Sequence, residues 1–109
     1  MKKLIYIAAP YTHPDPVENT HKVIQIAEKI IEMGFIPYIP HLSLLWHIVS
    51  PHPQEFWYNY DLEILRRCDA LLRIDGSSTG ADREVKFAEE NHIPIIYSIG
   101  DLTDWPKWT

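Results

Sequence analysis

Short apolar runs and amphipathic stretches alternate along this chain. A continuous apolar run, Leu4–Ala9, predicts a parallel strand that is buried on both faces. Pro16 marks the first turn of a helix whose apolar residues recur at helical spacing until Gly34 ends it. Phe35–Ile39 predicts a short strand, and Pro37 favours an edge position because proline donates no ladder hydrogen bond.

The second half of the chain repeats this alternation. The predicted segments are an irregular or short helical stretch at Pro40–Pro53, a helix over residues 54–68, a strand at Ala70–Ile74, a helix that carries Glu84, and a strand at Ile93–Tyr97. Alternating strands and helices predict a parallel sheet with right-handed crossovers. We therefore expect a small flavodoxin- or Rossmann-like three-layer α/β/α fold with a mostly parallel sheet of four to five strands. The tail from Gly100, with Trp105 and Trp108, is expected to cover apolar surface.

Two carboxylates interrupt apolar helix faces. Asp61 and Glu84 share helical stripes with apolar residues, which are Trp57, Ile64, Leu65 and Cys68 on the first helix and Ala81, Val85 and Ala88 on the second. A carboxylate on a buried face is costly unless a partner satisfies it or the protein uses it. Paired buried acids supply acid, base and nucleophile chemistry, so the pair predicts a functional site. The alternative is two capping or salt-bridged acids at the edge of the core.

The ends of two strands predict where a ligand binds. In open α/β sheets ligands bind beyond the carboxyl ends of the strands. Here these ends carry Pro10 and Tyr11 after the first strand and Asp75 after the strand between the two acidic helices. Helices run antiparallel to their strands, so Asp61 and Glu84 are expected at this same edge and within reach of one ligand.

A possible anion site precedes Glu84. Ser78 or Thr79 is suited to cap the helix, and with Gly80 the first turn offers free N–H groups and the positive end of the helix dipole. The alternative for this stretch is an ordinary helix cap.

Composition narrows the range of functions. A chain of 109 residues with 46% hydrophobic content predicts one domain, residues 1–109, with a single core. A formal charge of -5 without a basic run argues against a nucleic-acid polymer as partner. The single cysteine, Cys68, excludes an internal disulfide and suits a reducing cytoplasm. No apolar stretch reaches the length of a membrane span, and the run after Lys3 is too short for a secretory signal.

Three short motifs carry a family resemblance between residue 4 and about residue 97. They are Ile5-Tyr6-Ile7-Ala8-Ala9-Pro10-Tyr11, then Tyr60-Asp61 with Leu65 and Cys68-Asp69, and Ser78-x-Gly80-x-x-x-Glu84. Their order resembles the nucleoside 2-deoxyribosyltransferase superfamily, which includes deoxynucleoside 5'-monophosphate N-glycosidases. The chain departs from the family at Ala9, where relatives commonly have glycine, and in the loop around Trp46 and His47.

The resemblance implies a function and roles for individual residues. It implies cleavage or transfer at the N-glycosidic bond of a nucleoside or its 5'-monophosphate, without a cofactor. Glu84 takes the role of the nucleophile that attacks the anomeric carbon, and Asp61 that of the acid that contacts the sugar and assists proton transfer. Ser78, in the Ser-x-Gly motif with Gly80, corresponds to a phosphate-binding serine, and Tyr11 to an aromatic residue that lines the pocket. Pro10, Asp75 and Trp57 are also expected to contact the substrate.

Two other functions fit the same sequence. His41, His47 and His52 lie in one loop upstream of Asp61, which makes a metal-dependent phosphoesterase conceivable, although their spacing fits no strong metal pattern. Otherwise these histidines are exposed or contact a base. The second alternative is a nucleotide-binding module that keeps the fold without turnover, and the presence of both Asp61 and Glu84 argues against it.

The aromatic residues around Trp57 predict assembly. Phe56, Trp57, Tyr58 and Tyr60 point around more than half the circumference of one helix, so a single sheet cannot bury them all. Aromatic residues are enriched in interface cores, and relatives in the resembled family complete their pockets across a subunit boundary. We expect a homodimer or larger assembly, with this helix and the loop from His41 to His52 near the contact. In the alternative, the tail and the proline-rich loop cover this surface within one chain.

Overall fold

The computed structural model describes residues 1–109 as alternating strands and helices. In chain order the elements are β1 (Leu4–Ala8), α1 (Pro16–Glu32), β2 (Ile36–Tyr38), a 3-10 turn (Pro40–Leu42), α2 (Ser43–Val49), α3 (Gln54–Leu65), β3 (Ala70–Arg73), α4 (Thr79–Glu90), β4 (Ile95–Ile96) and a second 3-10 turn (Ile99–Leu102). β4 is shorter than predicted because Pro94 has no N–H to donate, and the Ile93 N–H instead bonds to the Ala88 carbonyl at 2.8 Å.

All four strands are parallel, in the order β2-β1-β3-β4, which confirms the predicted α/β architecture. β2 lies at an edge, as Pro37 predicted. From β1 the chain goes first to β2 on one side and then crosses to β3 on the other. The carboxyl ends of β1 and β3 are therefore a switch point, where neighbouring loops diverge and leave room for a ligand.

Local sequence signals determine the helix ends. The Asp15 carboxylate accepts a hydrogen bond from the Glu18 N–H at 2.8 Å, and Pro16 occupies the first turn of α1. Gly34 follows α1 with a φ of 97°, a conformation that favours glycine. These contacts place the start and the end of α1 where the sequence predicted them.

The sheet is covered on both faces by apolar side chains. Ile5 and Ile7 point toward α1, where they meet Val23, Ala27 and Ile30. The alternate positions of β1, Tyr6 and Ala8, point to the opposite face, which α3 and α4 cover with residues that include Leu65, Ala81 and Ala88. The molecule therefore has three layers. The inward-facing side chains of α3 and α4 lie on the same face of the sheet as Tyr6.

The tail beyond Gly100 covers the core in part. The centroids of the Trp105 and Phe35 rings are 6.3 Å apart, and Lys3 Nζ lies 4.3 Å from the centroid of the Trp105 ring. These contacts confirm the expectation that Trp105 covers apolar surface. The expectation for Trp108 is wrong, because that side chain is 61% exposed. Its backbone forms an antiparallel bridge with Lys2. A bilayer-spanning segment is absent from the helices, since none combines the necessary length with a sufficiently apolar sequence.

Candidate active site

Glu84 is held at the buried face of α4 by a tyrosine from the central strand. Its position between Ala81 and Ala88 turns the carboxylate inward, and the residue is 8% exposed. The Tyr6 hydroxyl, on a fully buried side chain, donates a hydrogen bond to Glu84 Oε2. A buried carboxylate with a dedicated hydroxyl donor keeps a defined orientation.

Asp61 has a matching partner on the adjacent strand. It is 9% exposed on α3, and Tyr38 Oη donates to its Oδ1 at 3.2 Å. Tyr6 and Tyr38 are paired across β1 and β2, with ring centroids 5.5 Å apart. The two tyrosines thus bring both carboxylates to the same face of the sheet.

Burial shifts the pKa values of both acids strongly upward. It raises the pKa of Asp61 to about 7, against the lowering effect of the Tyr38 hydrogen bond. For Glu84, burial raises the pKa to about 8, the Tyr6 hydrogen bond lowers it, the charge of Asp61 raises it and Arg73 lowers it. The Tyr6 pKa lies well above its ordinary value, chiefly because of burial, so its hydroxyl remains a donor. Both carboxyl groups therefore keep their protons to a higher pH than exposed carboxyl groups do.

Arg73 and Gly76 shape the turn that leads from β3 into α4. The Arg73 guanidinium donates to the carbonyls of Ile74 and Gly76, the latter at 2.8 Å, and lies 3.2 Å from Asp82 Oδ1. Gly76 has a φ of 125°, and a Cβ there would come within 2.6 Å of Pro10 Cγ. Only glycine allows this close contact between the two strand ends.

The first turn of α4 has the form that the sequence predicted. Ser78 Oγ accepts a hydrogen bond from the Ala81 N–H at 3.1 Å and caps the helix. The amides of Thr79 and Gly80 belong to the first turn, where N–H groups have no partner within the helix. Around Gly80, an added Cβ would approach only Ser78 Oγ, at 4.0 Å, so the space in front of this turn is open.

Two buried polar side chains hold the loop that follows β1. His41 Nε2 donates a hydrogen bond to the Pro10 carbonyl at 2.9 Å, and the Tyr11 ring meets the His41 ring edge-on, with centroids 5.1 Å apart. From the other side, Asn19 Nδ2 donates to the carbonyls of Tyr11 and His13 at 2.9 and 3.0 Å. The loop that carries Tyr11 is therefore anchored to both α1 and the first 3-10 turn.

A cleft of about 470 Å³ opens at the switch point between β1 and β3. Pro10 and Asp75, which the sequence placed at the ligand edge, are among its lining residues, as are Asn19, Lys22 and Ser77. Glu84 and Asp61 do not line it. The cleft lies on the α1 side of the strand ends, whereas the carboxylates lie on the α3 and α4 side.

Trp57 belongs to an aromatic cluster between α2 and α3. Its ring contacts the rings of Trp46, Phe56 and Tyr60, with centroids 5.2, 5.0 and 5.9 Å away. Its indole N–H donates to His47 Nδ1 at 2.8 Å. These contacts join α2 to α3, while Asp61 one turn later faces the core.

The loop histidines do not converge. His41 is 5% exposed and bonded to Pro10, which corrects the expectation that it is an exposed loop residue or a base contact. His47 Nδ1 accepts a hydrogen bond from the Trp57 indole N–H, and the His52 ring stacks on Phe56 with centroids 3.9 Å apart. No three metal-ligating side chains come together in the structure.

A sequence match that extends over most of the chain shows the family to which the protein belongs. Residues 3–98 match the protein family described as "Domain of unknown function (DUF7768)". The chain belongs to this family. Among curated proteins, none matches the sequence.

Solved structures of 2-deoxyribosyltransferases share the fold of this DUF7768 domain. The enzyme from the psychrotolerant bacterium Bacillus psychrosaccharolyticus superposes with a TM-score of 0.69 at 16% identity, over 94% of this chain and 92% of that chain. The enzyme from Leishmania mexicana superposes with a TM-score of 0.66 at 20% identity, over 85% of this chain and 61% of that chain. The chain therefore has a nucleoside 2-deoxyribosyltransferase-like fold, as its motifs predicted.

Sequence reasoning missed three members of the site in the DUF7768 domain. Tyr6 and Tyr38 look like strand residues in the sequence, although a buried tyrosine requires a hydrogen-bond partner and this requirement was a usable signal. Arg73 stands at the end of an apolar run, where a charged side chain also requires a partner. In each case the residue type indicated that a partner exists, and only the fold identified it.

Proposed function

We propose that this protein cleaves the N-glycosidic bond of a deoxynucleoside or its 5'-monophosphate through a covalent intermediate on Glu84. The sugar then passes either to water or to a second base. The observation that carries the proposal is the pair of buried carboxylates, Glu84 and Asp61, each bonded to a strand tyrosine. The fold shared with 2-deoxyribosyltransferases supports the same chemistry.

The reaction follows from the roles of the two acids. A Glu84 oxygen forms a bond to C1' of the sugar while the bond from C1' to the base nitrogen breaks, and Asp61 gives its proton to the departing base. In the second step, the oxygen of water or a nitrogen of a second base forms a bond to C1' while the bond from C1' to Glu84 breaks, and Asp61 takes the proton of the incoming group. The first outcome is hydrolysis and the second is transfer.

The reactive form of the pair has Asp61 protonated and Glu84 ionised, which is the reverse of the order of their pKa values of about 7 and about 8, so only a fraction of the molecules holds this form at neutral pH. A pKa of about 7 leaves Asp61 protonated in part of the molecules at neutral pH, so it is able to act as an acid. Glu84 must be ionised to attack, and the Tyr6 hydrogen bond and Arg73 both lower its pKa. Tyr6 also fixes which Glu84 oxygen is free, since it bonds to Oε2.

A substrate panel tests the proposal directly. The protein is incubated with purine and pyrimidine deoxynucleosides and their 5'-monophosphates, with and without an acceptor base, and products are separated by chromatography. Release of free base supports hydrolysis, and a new nucleoside supports transfer. Binding without either product, measured by calorimetry, would favour the nucleotide-binding module that lacks turnover.

A 5'-phosphate is expected to bind at the first turn of α4. The turn offers the amides of Thr79 and Gly80, open space in front of Gly80, and the Ser78 hydroxyl. We expect Ser78→Ala to raise the KM for a monophosphate about tenfold, since a hydrogen bond to a charged group contributes about 1.5 kcal/mol or more. The KM for the nucleoside should not change.

Ser98→Ala is the matched control for the phosphate prediction. Ser98 caps the second 3-10 turn through the Asp101 N–H, as Ser78 caps α4, so both variants lose a cap. If the nucleoside and its monophosphate have the same KM in the unsubstituted protein, the Ser78 turn is only a helix cap.

We also propose that the chain assembles as a homodimer or larger oligomer, as predicted, but that the contact lies in a groove between α1 and α2 and not at Trp57, which packs on Trp46 and bonds to His47 within the chain. The groove has a volume of about 360 Å³, and apolar residues along it and on α2 are exposed, namely Val17, Ile24, Leu42, Leu45, Ile48 and Val49. Several side chains more than half exposed in one region form the kind of patch that stable interfaces bury. Phe56, Tyr60 and Trp46 are also partly exposed and extend the apolar surface from α2 onto α3.

Light scattering at micromolar concentration tests the assembly. We expect the mass of two chains for the unsubstituted protein and of one chain for Leu45→Asp, because a charge at this contact is desolvated without a partner. Tyr97→Asp is the control, since Tyr97 is exposed but lies outside the groove. A single-chain mass for the unsubstituted protein would contradict the proposal.

A further inference from the structure

We propose that Tyr38 is a positioning residue for Asp61: its hydroxyl donates to Oδ1, so that Asp61 carries its proton on Oδ2 and presents that oxygen to the departing base. The inference rests on the proposed function, in which Asp61 is the acid. It gives a role in the reaction to the edge strand β2, whose one polar side chain is Tyr38.

The sheet fixes where the Tyr38 hydroxyl lies. Tyr38 is the register partner of Tyr6 in the parallel pair of β1 and β2, so the two side chains leave the sheet on the same face. The ring centroids are 5.5 Å apart, and Tyr6 is fully buried and bonded to Glu84. The Tyr38 ring therefore packs on a fixed neighbour, and its hydroxyl reaches α3, where Oη lies 3.2 Å from Asp61 Oδ1.

Asp61 has one bonded oxygen and one open oxygen. Tyr38 donates to Oδ1, whereas Oδ2 has no partner within the chain. Oδ2 is nevertheless reached by solvent, because His41 Nδ1 is the one enclosed side-chain atom without a hydrogen-bond partner. Glu84 has the same arrangement, with Tyr6 on Oε2 and an accessible Oε1. Each acid therefore turns one oxygen to a strand tyrosine and leaves the other for a ligand.

The hydrogen bond from Tyr38 decides which oxygen of Asp61 holds the proton. A protonated carboxyl group has one O–H donor and one carbonyl oxygen. A hydroxyl that donates to Oδ1 makes Oδ1 the carbonyl oxygen, so the proton lies on Oδ2. Burial raises the pKa of the Tyr38 phenol well above its ordinary value, so the hydroxyl remains a donor. Without this bond the proton would be shared between an oxygen that faces the ligand and one that does not.

Tyr38→Phe removes the hydroxyl and retains the ring that packs on Tyr6, so we expect this variant to fold. Tyr58→Phe is the matched control, because it removes a phenol hydroxyl from α3 itself. The Tyr58 ring meets the guanidinium of Arg83 at 3.6 Å, and Arg83 is partly exposed and pairs with Glu55. The control hydroxyl thus belongs to another side of α3.

Infrared spectroscopy tests the bond in the protein without substrate. At pH 5 Asp61 is protonated, since burial raises its pKa to about 7, and subtraction of the Asp61→Asn spectrum isolates its C=O stretching band. A hydrogen bond to a carbonyl oxygen lowers this frequency. We therefore expect Tyr38→Phe to move the band to higher frequency and Tyr58→Phe to leave it in place. An unmoved band in Tyr38→Phe would overturn the inference.

Kinetics test whether the bond acts through the Asp61 proton. We expect Tyr38→Phe to lower kcat about tenfold on a deoxynucleoside whose base must be protonated, the scale of one hydrogen bond. On a 7-methylpurine deoxynucleoside, whose base is already positively charged, kcat should change little. Tyr58→Phe should leave both rates unchanged. Equal losses on both substrates in Tyr38→Phe would indicate a purely structural role and would also overturn the inference.

A double variant separates this inference from the proposed function. Asp61→Asn has no proton to give, so Tyr38→Phe added to it should cause no further loss on the first substrate. A further tenfold loss would contradict an action through Asp61. If the unsubstituted protein cleaves no nucleoside, the proposed function fails, and the infrared band by itself decides whether Tyr38 holds the Asp61 proton on Oδ2.

Discussion

Glu84→Gln is expected to abolish N-glycosidic cleavage while the fold is retained. The amide has almost the same shape as the carboxylate and still accepts the Tyr6 hydrogen bond, but it cannot form the covalent glycosyl intermediate. We expect kcat to fall by about 10⁴-fold or more, the scale seen when a nucleophile is removed. Release of free base, followed by chromatography, measures this loss.

Glu89→Gln is the control for this substitution. Glu89 lies on the same helix and is exposed, so its neutralisation changes the charge of α4 equally without affecting the buried pair. Cleavage by Glu84→Gln at the original rate would eliminate the mechanism. Equal loss of activity in Glu89→Gln would show that the effect comes from the charge of the helix and not from the nucleophile.

Glu84→Gln is also expected to change the free energy of unfolding in a way that depends on pH. Burial raises the pKa of Glu84 to about 8 from an unfolded value of about 4.5, so the folded state holds the proton more tightly. The stability contributed by protonated Glu84 is full below the unfolded pKa and is lost as pH rises through the folded pKa. Glu84→Gln avoids this loss, so at pH 9 it should be more stable than the unsubstituted protein by on the order of a few kcal/mol. Urea unfolding at pH 5 and pH 9 measures the difference.

Asp61→Asn is expected to lower kcat by about 10² to 10⁴-fold, the usual contribution of a general acid. Asparagine cannot give a proton to the departing base. Because Glu84, with a pKa of about 8, must be ionised and Asp61, with a pKa of about 7, must be protonated, the rate of the unsubstituted protein should be greatest between these two pH values and should fall at higher pH. This fall should disappear in Asp61→Asn. Steady-state kinetics from pH 5 to 9 measure both effects.

A nucleoside whose base does not need a proton in order to leave distinguishes the role of Asp61 from that of Glu84. A 7-methylpurine deoxynucleoside already carries a positive charge on the base, so Asp61→Asn should lose little activity on it. Glu84→Gln should lose its activity on both kinds of substrate. Glu63→Gln is the control for Asp61, since Glu63 is on the same helix, exposed and paired with Arg67. Equal losses on both substrates in Asp61→Asn would contradict the role of general acid.

Local sequence determined much of the fold. Pro16, Gly34 and Ser78 mark helix ends through backbone preferences and short-range caps, which require no knowledge of the rest of the chain. The apolar stripes around Asp61 and Glu84 correctly placed both acids on buried helix faces, because a helix that packs on a sheet buries one stripe. Pro37 likewise placed β2 at the edge of the sheet.

Tertiary structure alone decided which groups meet at the candidate site. Tyr6 and Glu84 are 78 positions apart, and Tyr38 lies 23 positions before Asp61, so these hydrogen bonds depend on strand order and register. The upward shifts of both acidic pKa values arise from burial between layers, which no local pattern specifies. The contacts of Arg73 with the Gly76 carbonyl and Asp82 are different, because they join residues three and nine positions apart and depend on the turn between β3 and α4. Sequence periodicity shows which face of an element is buried, whereas the partner opposite that face exists only once the layers are assembled.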